Sequence, residues 1–151
     1  MGFLVTVPDA TFLLTAASSN LLEIQAEQMA AAKATNASVK ETAQMMADHH
    51  TTATQLLQTV AVPLGVAPSQ TLMPMPMHQA MLDKLSTKSA GKDFDKAYMD
   101  AMKTAHDMDV AIFQVKSKGA EKPEVQAFAT KMLPMLQSHR EMAAHLEKKV
   151  G

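Results

Sequence analysis

The residues with the clearest capacity for chemistry are three histidines and one glutamate: Glu23, His50, His106 and His139. Each interrupts a stripe of apolar or small residues at helical spacing. The stripe around His50 consists of Val39, Ala43, Met46, Ala53, Leu57 and Val60. Side chains three and four residues apart share one face of a helix, so we expect all four residues to point inward. Imidazole and carboxylate groups are common transition-metal ligands, which makes coordination the first chemistry to consider.

Two interpretations of these four residues remain open. In the first, they hold one metal ion, and three imidazoles with one carboxylate suit Zn, Cu, Fe or Mn about equally by donor type. In the second, they form a structural hydrogen-bonded network in which the histidines compensate the buried charge of Glu23. A redox enzyme is a third class. We expect a binding protein rather than an enzyme, because no serine has the neighbours of a nucleophile and too few carboxylates remain for a di-iron oxidase.

Methionine is the compositional anomaly, with fourteen residues in a chain that has no cysteine. Each of the three histidines has a methionine four residues before it, and His139 has another three residues after it: Met46, Met102, Met135 and Met142. Residues at these spacings are neighbours on a helix, and a thioether is a soft donor. Such stripes also occur in ordinary apolar cores. As secondary ligands, these methionines would favour copper, especially Cu(I), over zinc or iron.

A second methionine-rich segment, MPMPMH at 73–78, supplies further secondary candidates: Met73, Met75, Met77 and His78. Its prolines keep the chain extended, which leaves the thioethers and His78 available to a soft cation. The alternative is that the segment forms a hydrophobic lid over the end of the bundle. His49 and Asp109 are candidates for residues that orient the imidazoles, since His49 lies on the flank of its stripe and Asp109 one turn after His106.

The elements that would position these residues are helices. Good helix formers dominate, Gly and Pro are confined to a few places, and no alternating strand pattern competes. We predict four long helices and a short one, at about 9–33, 37–60, 78–85, 94–116 and 123–149, with Asp9 capping the first. This order predicts an all-α, ferritin-like antiparallel four-helix bundle with a long crossover and a short extra helix.

The heights of the four residues agree with such a bundle. In an antiparallel pair, residues equidistant from the turn lie at one level. The sequence midpoint between Glu23 and His50 falls at the first turn. The midpoint between His106 and His139 falls about two residues, or about 3 Å along a helix, from the centre of the second turn. One layer of ligands, one from each helix, is therefore expected.

Size and charge narrow the class of protein. A chain of 151 residues predicts a single domain over 1–151, and a formal charge of −1 with no basic block indicates neither nucleic acid nor membrane binding. The N-terminal MGFLVTVPDA lacks the basic region and full apolar region of a signal peptide, and we expect none in this sequence.

Nearly the whole chain resembles an exported bacterial family of uncharacterised proteins, domain of unknown function 4142, which has a ferritin-like fold. The resemblance rests on DATFLLTAASSNLLEIQ (9–25), AEQMAAAKATNASVK (26–40), MMADHHTTATQLL (45–57), HQAMLDKLS (78–86), FDKAYMDAMKTAH (94–106) and PEVQAFATKMLPMLQSH (123–139). The family's recurring glutamate and three histidines align with Glu23, His50, His106 and His139, while His49 replaces an aspartate. The resemblance implies export to the periplasm or beyond but no established activity. Met99, Met135 and the MPMPM run depart from the family, and we associate them with copper.

Overall fold

Helices account for the regular structure of the chain in the computed structural model, which describes residues 7–68 and 76–150. The α-helices are α1 Asp9–Lys33, α2 Ala37–Ala61, α3 Pro76–Ser86, α4 Lys92–Lys118 and α5 Pro123–Val150, with a 3-10 turn at Val62–Leu64. Within the described ranges there is no strand, so the all-α prediction is confirmed. No helix among those residues is long and apolar enough to cross a membrane.

The four long helices pack through two apolar clusters. The main contacts join α4 to α5 and α1 to α2, and further contacts join α1 to α4 and α2 to α5. The first cluster includes Leu22, Tyr98 and Leu146, and the second includes Phe12 and Phe128. Along α2, α4 and α5, the predicted histidines lie between the residues of these two clusters. The apolar layers therefore enclose a polar layer and separate it from water.

Polar contacts at the α1–α2 turn hold the helices at matching heights. The Asn36 side chain accepts hydrogen bonds from the backbone N–H groups of Ser38 and Val39 and caps α2. The Asp95 carboxylate, on the first turn of α4, accepts from the backbone N–H groups of Thr35 and Asn36 and from the Thr35 hydroxyl. These hydrogen bonds of Asp95 hold the start of α4 against the α1–α2 turn, and the turn determines the relative heights of the site residues on α1 and α2.

Asp9 has a different role from the predicted cap. The residue before α1 is Pro8, no side chain caps the helix, and Asp9 is already helical. Its carboxylate accepts hydrogen bonds from the Lys116 ammonium at 2.8 Å and from the backbone N–H groups of Glu121 and Lys122. Burial raises the pKa of Asp9, but these three donors outweigh it and leave the pKa below the ordinary value. Asp9 thus joins the start of α1 to the α4–α5 turn.

Asp9→Ala is expected to lower the free energy of unfolding by about 3 kcal/mol, because it leaves the buried Lys116 ammonium without its carboxylate partner and two backbone donors without their acceptor. Urea denaturation measures the change. Asp48→Ala removes an exposed carboxylate from α2 and is expected to change stability by less than about 0.5 kcal/mol. Equal effects of the two substitutions would contradict the structural role of Asp9.

Candidate metal centre

The structure brings the four predicted residues together in the polar layer. One ring nitrogen from each of His50, His106 and His139 lies within 4.8 Å of the others. Glu23 approaches two of these rings, with Oε2 at 3.1 Å from His50 Nε2 and Oε1 at 2.8 Å from His106 Nε2. All four residues are at most 1% exposed. The helices therefore converge on a buried cluster of three imidazoles, two of which contact the Glu23 carboxylate.

These short contacts do not have the angles of hydrogen bonds. Several buried polar atoms of the cluster lack a hydrogen-bond partner: Glu23 Oε1, Nδ1 and Nε2 of His50, His106 Nε2 and His139 Nδ1. Each such atom costs about 1–3 kcal/mol when buried without a partner. A metal ion can accept lone pairs from one nitrogen of each ring and from the Glu23 carboxylate, so the donor set fits a transition-metal ion.

His106 shows the fit most directly. Its Nδ1 lies 2.7 Å from the Met102 carbonyl oxygen, which can only accept, so Nδ1 carries the proton. In the neutral ring, Nε2 then presents a lone pair to Glu23 Oε1. Two lone pairs at 2.8 Å repel each other unless a proton or a cation lies between them. The Met102 carbonyl thus fixes the tautomer that a metal ligand needs.

Charge compensation within the cluster shifts the pKa values strongly. Burial alone raises the pKa of Glu23, but His106 and His50 together hold it well below the ordinary value. Burial alone lowers the pKa of His50 and of His106, yet the Glu23 carboxylate outweighs it and raises both. Without metal, the cluster is therefore stabilised as a carboxylate between two protonated rings.

His139 connects the buried cluster to His49 near the surface. Burial, with the charges of His50 and His106, lowers the pKa of His139 to about 3, so its ring is neutral. His139 Nε2 lies 2.7 Å from His49 Nδ1, and the two rings stack with centroids 5.0 Å apart. His49 itself is exposed. It contacts a cluster member directly, as expected of a residue that orients an imidazole.

Glu27 is a member of the polar layer that the sequence analysis missed. It is 3% exposed, its Oε1 lies 3.5 Å from His50 Nδ1, and its Oε2 accepts a hydrogen bond from the Tyr98 hydroxyl. Burial raises its pKa to about 7. The available signal was its position one turn after Glu23, since residues four apart share a helix face.

Asp109 reaches the cluster through a serine rather than through an imidazole. Its carboxylate accepts a 2.7 Å hydrogen bond from the Ser19 hydroxyl, whose oxygen lies 3.4 Å from Glu23 Oε2. Burial, with the charge of Glu23, raises the pKa of Asp109 to about 7. The residue therefore acts on Glu23, the carboxylate of the cluster, and the predicted bond to an imidazole is replaced by the one to Ser19.

The secondary candidates occupy several environments. Met46 and Met102 are buried in the core, whereas Met135 and Met142 are partly buried. Met77 is 44% exposed, and the buried His78 places Nδ1 2.7 Å from the Ser18 hydroxyl. Met73 and Met75 lie outside the described residues. Among the residues that the structure describes, the converging groups of His, Asp and Glu donors include neither His78, His49 nor Asp109.

Comparisons with known proteins agree with this fold. The family described as Domain of unknown function (DUF4142) matches residues 4–146. A solved structure titled "CopM in the Cu(II)-bound form" is similar, with a TM-score of 0.76 and 18% sequence identity over 95% of this chain and 97% of that one. At this identity the likeness shows a shared fold. A search of curated proteins found no significant match.

Proposed function

The chain belongs to the DUF4142 family, and we propose that it binds a transition-metal ion through Glu23, His50, His106 and His139. The observation that carries this proposal is the convergence of buried donor atoms that contact one another without making hydrogen bonds. A cation held among these residues accepts a lone pair from a nitrogen of each ring and from the carboxylate, and so relieves the repulsion between Glu23 Oε1 and His106 Nε2. Three neutral imidazoles and one carboxylate give a four-ligand set for a single ion.

Copper is the favoured metal. Imidazole nitrogens bind Cu(II) strongly, and thioethers favour Cu(I). Met46 and Met102 are buried one helix turn before His50 and His106, and their thioethers are the soft donors of this proposal. The structurally similar CopM was solved in a Cu(II)-bound form, which supports the same choice for this chain. The role that follows is copper binding and handling rather than catalysis.

The proposal includes the setting of the site. The four long helices, with α3 as the short extra helix, form one ferritin-like antiparallel bundle domain over residues 1–151. In this proposal the protein works in the periplasm or outside the cell, which its resemblance to an exported family supports. No partner other than the metal ion is needed for the site, because all four ligands come from this chain.

A structural network is the second candidate function for the same residues. It is favoured by the mutual compensation of charge, since the Glu23 carboxylate raises the pKa of His50 and His106 while these rings lower its own. In that case the cluster would specify helix packing and bind no metal.

Titration of metal-free protein separates the two candidates. We expect at least one equivalent of copper to bind more tightly than Zn(II), Fe(II) or Mn(II), and to stabilise the fold by about 2.7 kcal/mol at free copper 100-fold above Kd. Element analysis after gel filtration gives the stoichiometry. Protein that binds none of the four metals would favour the structural network.

A further inference from the structure

We propose a second cation position in the polar layer, formed by Glu27 and Glu23 of α1 and His50 of α2. This second position rests on the proposed function, because it shares His50 and Glu23 with the first position, which is the metal site proposed above. Its own observation is independent: one donor atom from each of these three residues lies within 4.8 Å of the other two, and all three side chains are buried.

The unpartnered atoms point to a ligand at this position. Glu27 Oε1 and His50 Nδ1 are buried, lie 3.5 Å apart, and have no hydrogen-bond partner. The other ring nitrogen of His50 faces Glu23 at 3.1 Å, on the side where His106 also approaches. His50 therefore presents one nitrogen to each of two carboxylates, Nε2 to Glu23 and Nδ1 to Glu27, and Glu23 lies close enough to both to contribute to either position.

The donor types differ between the two positions. The first is rich in imidazole nitrogen, whereas the second offers two carboxylates and one nitrogen. Carboxylate oxygens suit borderline and harder divalent cations, and one or two oxygens with imidazole is a common zinc set, so the second position fits Zn²⁺ rather than Cu(I). The Tyr98 hydroxyl donates to Glu27 Oε2 and orients the carboxylate, leaving Oε1 toward the cation.

Occupying both positions makes the His50 ring a bridge. A ring that binds one cation through each nitrogen carries no ring proton, so its remaining proton passes to bulk water as the second ion binds. The negative charges of Glu23, Glu27 and the deprotonated ring then offset much of the charge of two divalent ions. The two positions are consequently coupled through one side chain.

Native mass spectrometry of protein loaded with Zn²⁺ alone tests this proposal. Wild type is expected to hold two ions in the core, and Glu27→Gln, which keeps the shape of the side chain, is expected to lose one. Glu41→Gln makes the same chemical change at an exposed position of α2 and should retain the wild-type count. His139→Ala should lose the first ion and keep the one beside Glu27.

The pattern of losses separates the two proposals. If Glu27→Gln keeps the wild-type count while His139→Ala loses an ion, the second position is wrong and the first stands. If Glu27→Gln loses an ion and His139→Ala loses none, the second stands and the three-histidine site is wrong. Wild type without bound zinc would overturn the second position. Tyr98→Phe keeps Glu27 and should weaken only the second ion, by about 10-fold, which provides a test if Glu27→Gln unfolds.

Discussion

His50→Ala is expected to abolish tight metal binding, with a loss of more than about 100-fold in affinity. His50 is fully buried, faces Glu23 through Nε2 and Glu27 through Nδ1, and belongs to both converging donor groups. Replacing it removes a ligand and leaves the two carboxylates less compensated, which exceeds the 10–100-fold effect of losing a residue that only orients a ligand. Competition with a chelator for the metal that wild type prefers measures the change.

His49→Ala is the matched comparison, since it removes the neighbouring imidazole from the same helix. His49 is exposed and contacts the cluster through His139 Nε2, so its loss is expected to weaken binding by about 10-fold to 100-fold. The reverse order of effects, with binding kept in His50→Ala and lost in His49→Ala, would contradict the assignment of ligands on α2. The copper argument built on Met46 would then fail with it.

Helical periodicity was enough to find most of the polar layer. His50, His106 and His139 each lie on a helix face that packs against neighbouring helices. Such a face repeats every three or four residues along the sequence, so a stripe of apolar residues at that spacing identifies its buried residues. The matched heights followed from short turns. With a connection as short as 34–36, residues the same number of positions before and after the turn lie at nearly the same height on the two helices. Local spacing therefore predicted which side chains meet.

The rest depended on contacts that no local pattern contains. Helix α1 packs against α2, α3 and α4, so its buried face is broader than one stripe and includes Glu27 as well as Glu23. Periodicity counted along a single stripe misses such residues. Asp9 gave a cap signal in the sequence, but its partners lie more than a hundred residues away, at the α4–α5 turn. Only the packed structure shows that the Asp9 carboxylate accepts from these distant donors and does not cap α1.

Metal-free protein is expected to lose stability as pH rises above about 6.5. The pKa values of His50 and His106 are raised above the ordinary 6.5, so the folded state keeps protons there that the unfolded chain has released. Glu27 and Asp109, with pKa values of about 7 against ordinary values of 4.5 and 3.8, also hold extra protons in the folded state up to about pH 7. Each extra proton lowers the free energy of unfolding by about 1.4 kcal/mol per pH unit.

His139 acts in the opposite direction, but only at lower pH. Its pKa of about 3 means that the unfolded chain binds a proton between pH 3 and 6.5 that the folded protein does not. Glu23, whose pKa is lowered well below 4.5, likewise loses its stabilising contribution only as acid protonates it. Both effects fade as pH passes 6.5, whereas His50, His106, Glu27 and Asp109 keep extra protons there, so the net change above this value is a loss of stability.

Bound metal is expected to reverse this dependence. A cation takes the place of the protons on the rings and carboxylates, so acid competes with it and the loaded protein gains stability as pH rises from about 6 to 8. Urea denaturation at both pH values, with and without metal, measures the two slopes. His145→Ala alters an exposed histidine and should keep both slopes, whereas His50→Ala should flatten the metal-free one. Slopes of the same sign with and without metal would mean that the added ion does not bind to the titrating cluster, because a cation held by these groups must displace their protons.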